Sequence, residues 1–236
     1  MRKNGSKIIS FSRYKATDLL IFAAILAAFG AISFFAFTEW FATDSSRYIF
    51  SISVPITLLI MVRWNWYGMF YAVGDGLLYC ILMLATGNMA AGSELSYFLI
   101  YGAGSAFIGL TYLMVKFMGY KRIVGAWYFT VLYAVCGWVL LVLGRTLVWT
   151  CFGLGFVNGL LGLGGSELLS LGMALIILLV LRRLDGMMEN QRDYLIRLDR
   201  ERREKMLADN FGEEPIEIDE EMLKTLNKKG EDLFSK

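Results

Sequence analysis

The sequence predicts an all-α membrane protein with six transmembrane helices, both termini in the cytoplasm and a helical cytoplasmic tail. Three observations predict it. Six apolar segments separated by short connections fill residues 16 to about 181. The composition is 57% hydrophobic and 15% aromatic with only two prolines, more apolar than a core with its polar cover would need in water. With the amino terminus placed inside, nine of the eleven basic residues in 1–181 fall on the cytoplasmic side, as the positive-inside bias requires.

The first segment, Ala16 to about Phe37, follows Arg2, Lys3, Lys7, Arg13 and Lys15. Its 22 residues, at about 1.5 Å each, cover a hydrocarbon core of about 30 Å. It is too long and bulky for a cleaved leader and is expected to stay as an anchor. The others are Tyr48–Val62, Trp66–Thr86, Leu95–Val115, Ile123–Leu143 and Glu167–Leu181. The second and sixth are short, so tilt, loop extension or snorkelling of Arg63 and Arg182 must supply length. Three parts result: a basic cytoplasmic terminus (1–15), a membrane domain (16–185) and a charged tail (186–236). Residues 1–181 carry 11 basic and 6 acidic side chains, hence +5, whereas 182–236 carry 12 and 15, hence −3.

The tail opens with Leu184, Met188, Gln191, Leu195 and Leu198 at alternating steps of four and three, a stripe of about two heptads. This predicts that the sixth helix projects into the cytoplasm, with self-association as the alternative. After Gly212 and Pro215 a short helix is expected, capped by Asp219, with Met222, Leu223 and Leu226 as a small apolar face for a partner.

Several chemistries are excluded. There is no histidine, so histidine-based triads and His-rich metal sites are absent. Cys80, Cys136 and Cys151 stand singly in apolar runs, without metal-site or redox spacing. No phosphate loop occurs that would bind and hydrolyse ATP. No enzyme, cofactor, metal or nucleic-acid partner is expected.

Two regions depart from a plain bundle. In IFAAILAAFGA, Ala23, Ala27 and Ala31 recur at i+4 with Ala24 and Ala28 beside them, leaving one helix face nearly flat. In lipid, close backbone approach through small residues drives helix association. That face serves either the protein's own helices or another membrane subunit. In RWNWYGMFYAVGDGLLYC, Asp75 lies about 14 Å from Trp66 if helical, near mid-membrane. A carboxylate there is either a hydrogen-bonded structural acid or a ligand contact. The glycine-rich stretch 144–167 reads as too irregular for an ordinary helix and, with residues 37–47 and 85–94, gives the outer face three loops that could close over a pocket. The candidate substrate-binding residues are Trp40, Asp75, Tyr79, Asn88, Arg145, Trp149, Asn158 and Glu167. Ordinary solvated loops and boundary charges at Arg145 and Glu167 are the plain alternative.

The stretches ATDLLIFAAILAAFGAISFF and RWNWYGMFYAVGDGLLY, in a six-span chain with both ends inside, resemble the substrate-binding S component of energy-coupling factor transporters. The resemblance covers residues 15 to about 185. It implies a capture subunit for a vitamin or similar micronutrient in the plasma membrane. It also implies docking through Ala23, Ala24, Ala27 and Ala28 on a transmembrane coupling subunit served by separate ATPases. The long charged tail departs from that family's compact pattern. Two other classes compete: a six-span scaffold acting through its tail, and a stand-alone ion-coupled carrier using Asp75.

Overall fold

The computed structural model describes residues 11–36, 51–153 and 155–211. Among them every regular element is helical. In order these are α1 (Phe11–Phe35), α2 (Ser53–Trp64), α3 (Gly68–Ala85), α4 (Glu94–Tyr97), α5 (Thr111–Met118), α6 (Tyr120–Gly125), α7 (Trp127–Cys151), α8 (Phe156–Ser166), α9 (Leu168–Leu181) and α10 (Gln191–Phe211). A 3₁₀ turn, Asn65–Tyr67, joins α2 to α3. A π-turn, Phe98–Ala103, and a 3₁₀ turn, Gly104–Leu110, carry α4 into α5.

Among the described residues, four helical stretches are long and apolar enough to cross a membrane: Phe11–Phe35, Ser53–Ala85, Glu94–Met118 and Trp127–Cys151. A fifth arises if α8 and α9, bent by 48° to each other, count as one. Large apolar side chains stand exposed around them, Leu20 and Leu161 at about 70%. Such a surface suits lipid and is rare on a soluble monomer.

The stretch Ser53–Ala85 is not straight. Asn65 takes φ 62° and the chain reverses there. Ser51, just before α2, hydrogen-bonds Asp75 in α3 at 2.9 Å. The two are 24 residues apart, a separation of about 36 Å in a straight helix. Hence α2 and α3 run antiparallel. All twelve residues of α2 are buried, and α1, α3, α5, α7 and α9 all touch it. Its sequence, SVPITLLIMVRW, is apolar nearly all round, as a helix enclosed by others must be. Leu58, Leu59 and Met61 meet Tyr133, Leu141 and Leu178 in the main core, where the Tyr133 hydroxyl donates to the Leu58 carbonyl at 3.1 Å.

Three expectations need correction. The glycine-rich stretch 144–167 is largely helical: α7 continues through Gly144 and Arg145 to Cys151, and α8 follows. Two of its glycines act as close contact points. Gly144 lies against the Gly104 carbonyl and Phe107, and Gly159 against the Trp149 ring, so the backbones approach as small residues allow. Arg63 does not snorkel, because it is buried in an ion pair. The sixth segment does not project as one helix: α9 stops at Leu181, and the turn that follows contains Gly186 at φ 72°. Met188, expected on a helical stripe, is buried in the main core instead.

At that turn the chain ties itself to α1 and α2. Asp18 accepts from Arg63 at 2.8 and 3.1 Å and from the Trp64 indole at 2.6 Å. Arg63 also donates to the Gly186 and Met187 carbonyls at 3.1 Å. Tyr14 donates to Gln191 at 2.9 Å, and Lys15 sits over the Tyr67 ring. Two compact units result, Met1–Gln191 and Arg192–Lys236. The second contains the rest of α10, a polar helix on which Arg197 pairs with Glu201 at i,i+4. The short helix expected after Pro215 lies outside the described residues.

Removing one partner of a buried ion pair strands the other charge. Asp18→Ala is therefore expected to destabilise the detergent-solubilised protein by roughly 3–5 kcal/mol, read as a fall in melting temperature. A change indistinguishable from wild type would show that Arg63 needs no counter-ion.

Candidate functional site

The ends of α3 and α7 and the glycine-rich face of α8 enclose a cavity of about 550 Å³ with the segment around Tyr97 and Tyr101. From α3 come Tyr79 and Met83; from α7, Trp149; from α8, Asn158, Gly162, Gly165 and Ser166. Tyr97 and Tyr101 are four residues apart and stack with rings 17° from parallel. Tyr79 packs on Tyr101 with ring centres 4.9 Å apart. α8 closes against α7 because Gly159 has no side chain; a Cβ there would sit 2.9 Å from the Trp149 ring.

Apart from Ser166, whose hydroxyl donates to the Leu163 carbonyl at 2.9 Å, the polar side chains of this cavity are uncommitted. The hydroxyls of Tyr79, Tyr97 and Tyr101 and the Asn158 amide make no hydrogen bond among the described residues. The Trp149 indole N–H is buried with no partner there. Buried polar groups are normally satisfied, so the Trp149 N–H marks a place where something else supplies the partner, and the tyrosine hydroxyls and the exposed Asn158 amide border the same cavity.

A charged layer stands behind the aromatic wall. Arg145 of α7 pairs with Glu167, the residue between α8 and α9, and both are buried. The Arg145 Nε also donates to Ser105 at 2.9 Å, and Ser105 donates to the Tyr101 carbonyl. The guanidinium lies 4.9 Å over the Tyr101 ring, on a cation–π contact. The Trp138 indole donates to the Glu167 carbonyl at 2.9 Å. Asp75 is buried beside this layer and accepts from Ser51, whose own N–H donates to Ser170 at 3.1 Å. Gly30 of α1 makes room for it, since a Cβ there would come within 3.2 Å of the carboxylate. Gly76 does the same on α3, lying directly against the Tyr101 carbonyl.

The structure brings three of the expected residues, Tyr79, Trp149 and Asn158, to the cavity wall. It buries Asp75, and it buries Arg145 and Glu167 as well rather than leaving them as solvated boundary charges. Asn88 is exposed in a loop, hydrogen-bonded to Thr86, and does not line the cavity. Trp40 lies outside the described residues. On α1, Ala23, Ala24, Ala27 and Ala28 are exposed while Leu26 and Phe34 are buried, so among the described residues no helix covers these alanines. Among the described residues no group of three metal-ligating side chains forms. Sequence reasoning missed Tyr97, Tyr101, Gly162 and Gly165. Their signal was helical spacing: Tyr97 with Tyr101 at i+4, and Asn158, Gly162 and Gly165 along one face of α8.

Arg145→Leu alone is expected to cost roughly 3–5 kcal/mol, whereas Arg145→Leu with Glu167→Leu recovers most of it, because only the single change leaves a bare buried charge. Melting temperatures of the three proteins in one detergent measure this. A double variant as unstable as the single one would mean that Arg145 matters through Ser105 and Tyr101 instead. No protein-family model, curated protein or solved structure matches the chain.

Proposed function

We propose that this chain is a membrane-embedded, non-enzymatic capture subunit for a vitamin or similar small micronutrient. It works in the plasma membrane with six spans and both termini in the cytoplasm, and it docks on a transmembrane coupling subunit served by ATPases. The observation that carries this is the cavity, with the buried, unpartnered Trp149 indole N–H and the tyrosines and Asn158 that border it. Small-molecule sites occupy about 300–1,000 Å³ and combine apolar walls with a few placed polar groups. The reversal at Asn65 supports counting α2 and α3 as two crossings, and the bent α8–α9 pair as one more.

The alanine face supports the docking half of the reading. Ala23, Ala24, Ala27 and Ala28 are exposed on a helix that also buries Leu26 and Phe34. Such a face offers a second membrane helix close backbone contact. Ala23→Leu with Ala27→Leu leaves internal packing untouched, so stability is expected to stay within about 0.5 kcal/mol of wild type. Copurification of a membrane subunit and ATPases from native membranes is expected with wild type and lost with this variant. If wild type brings down neither, the docking mechanism is wrong.

One observation favours a second reading, an ion-coupled carrier. Asp75 is buried against serines, while the neighbouring guanidinium is engaged by Glu167. A capture subunit predicts that Asp75→Asn keeps solute binding; a carrier predicts solute transport by the protein alone in liposomes, abolished by that change.

A further inference from the structure

We infer that the solute is an uncharged, flat heterocycle that lies on the glycine face of α8, an assignment that rests on reading the cavity as the solute site. Glycine is among the least favourable residues inside a helix, yet α8 has four in eleven positions. Two of them face neighbours, Gly159 the Trp149 ring and Gly164 the Val142 side chain, which an added Cβ would meet at 3.7 Å. Gly159 lets α8 close on Trp149, whereas a Cβ added at Gly162 or Gly165 would meet nothing within 4 Å. Both border the cavity. With Asn158 they follow i, i+4, i+7 spacing, so one side of α8 offers a smooth strip with an amide at its end.

Facing that strip are aromatic rings. Tyr79, Tyr97 and Trp149, with Tyr101 stacked on Tyr97, form an aromatic wall suited to a flat ring system. Charge narrows the class. No charged side chain among the described residues lines the cavity, and the nearest ion pair, Arg145 with Glu167, is closed on itself. A carboxylate or ammonium would be desolvated there without a counter-ion. A neutral ring edged with N–H and C=O groups finds both donors and acceptors in the tyrosine hydroxyls and Asn158. It must also bring at least one acceptor, because the Trp149 indole only donates.

The test uses the full-length protein in detergent. Melting temperature and tryptophan fluorescence are followed with lumichrome, hypoxanthine, nicotinamide and nicotinate, the last pair differing mainly by a carboxylate. At least one uncharged probe is expected to raise the melting temperature and quench fluorescence, with nicotinate at least tenfold weaker than nicotinamide. Gly162→Leu and Gly165→Leu, which project into open space, are expected to keep the wild-type melting temperature and to weaken that binding at least tenfold. Binding that survives both variants would overturn the placement on α8. Preferential binding of nicotinate, blocked by Gly162→Leu, would overturn the uncharged class while leaving the cavity as the solute site. If none of the four probes binds, the assignment to flat heterocycles fails. Extending the screen to glutamate and spermidine then separates the two readings, since a hit there, blocked by Gly162→Leu, preserves the cavity, and no hit removes it.

Discussion

Two opposite charges, Arg145 and Glu167, lie in the interior of an otherwise apolar bundle, and their need for each other sets much of the arrangement around them. Neither could be buried alone, because the desolvation of a single ion far exceeds what nearby apolar packing returns. Their meeting brings α7 to the junction of α8 and α9. Ser105 extends the same network to the 94–118 segment, and the Tyr101 ring covers the guanidinium. The close approach depends on absent side chains. Gly104 rests on the Arg145 backbone, Gly144 on the Gly104 carbonyl and Gly76 on the Tyr101 carbonyl. Polar attraction and glycine clearance therefore coincide at one level of the bundle, and the cavity forms against it.

The N-terminal half follows the same logic at both ends of α2. A rod of buried apolar side chains can slide or rotate against other apolar helices at little cost, so packing alone specifies its register weakly. Polar contacts near its ends remove that freedom. Ser51 joins Asp75 and Ser170 at one end, and Arg63 and Trp64 join Asp18 at the other. Ser53 shares the first cluster through its N–H to Ser51. α1 enters this scheme through Asp18 and Gly30, while Ala23, Ala24, Ala27 and Ala28 beside them stay exposed.

The helical class was legible because hydrophobic length and charge sidedness are properties of composition along the chain. Interior pairing was not. Arg145 and Glu167 each stand at the edge of an apolar run, which in sequence is indistinguishable from an interfacial charge; only the continuation of α7 past Gly144 takes Arg145 inside. Glycine was misread for a related reason. Isolated from context it signals a break, while in lipid it equally signals contact, and 144–167 contains both uses. Gly153 has φ 79° at the turn, and Gly159 is a helical contact with Trp149. The tail stripe failed at Met188 because an apolar residue four positions from Leu184 suits a turn folded onto the core as well as a helix. At the cavity, Tyr79, Trp149 and Asn158 could be picked out in the sequence, but Tyr97 and Tyr101 come from a different segment, and single-sequence spacing does not report which segments pair.

The 48° bend between α8 and α9 occurs at the residue that grips Arg145. The elbow is thus fastened electrostatically, while the helix beyond it carries Asn158, Gly162 and Gly165. Coulombic fastening weakens in proportion to local dielectric. A wet cavity floor loosens this elbow and a dry one stiffens it, so the mechanical rigidity of the α8 arm is tied to how much water its neighbourhood holds.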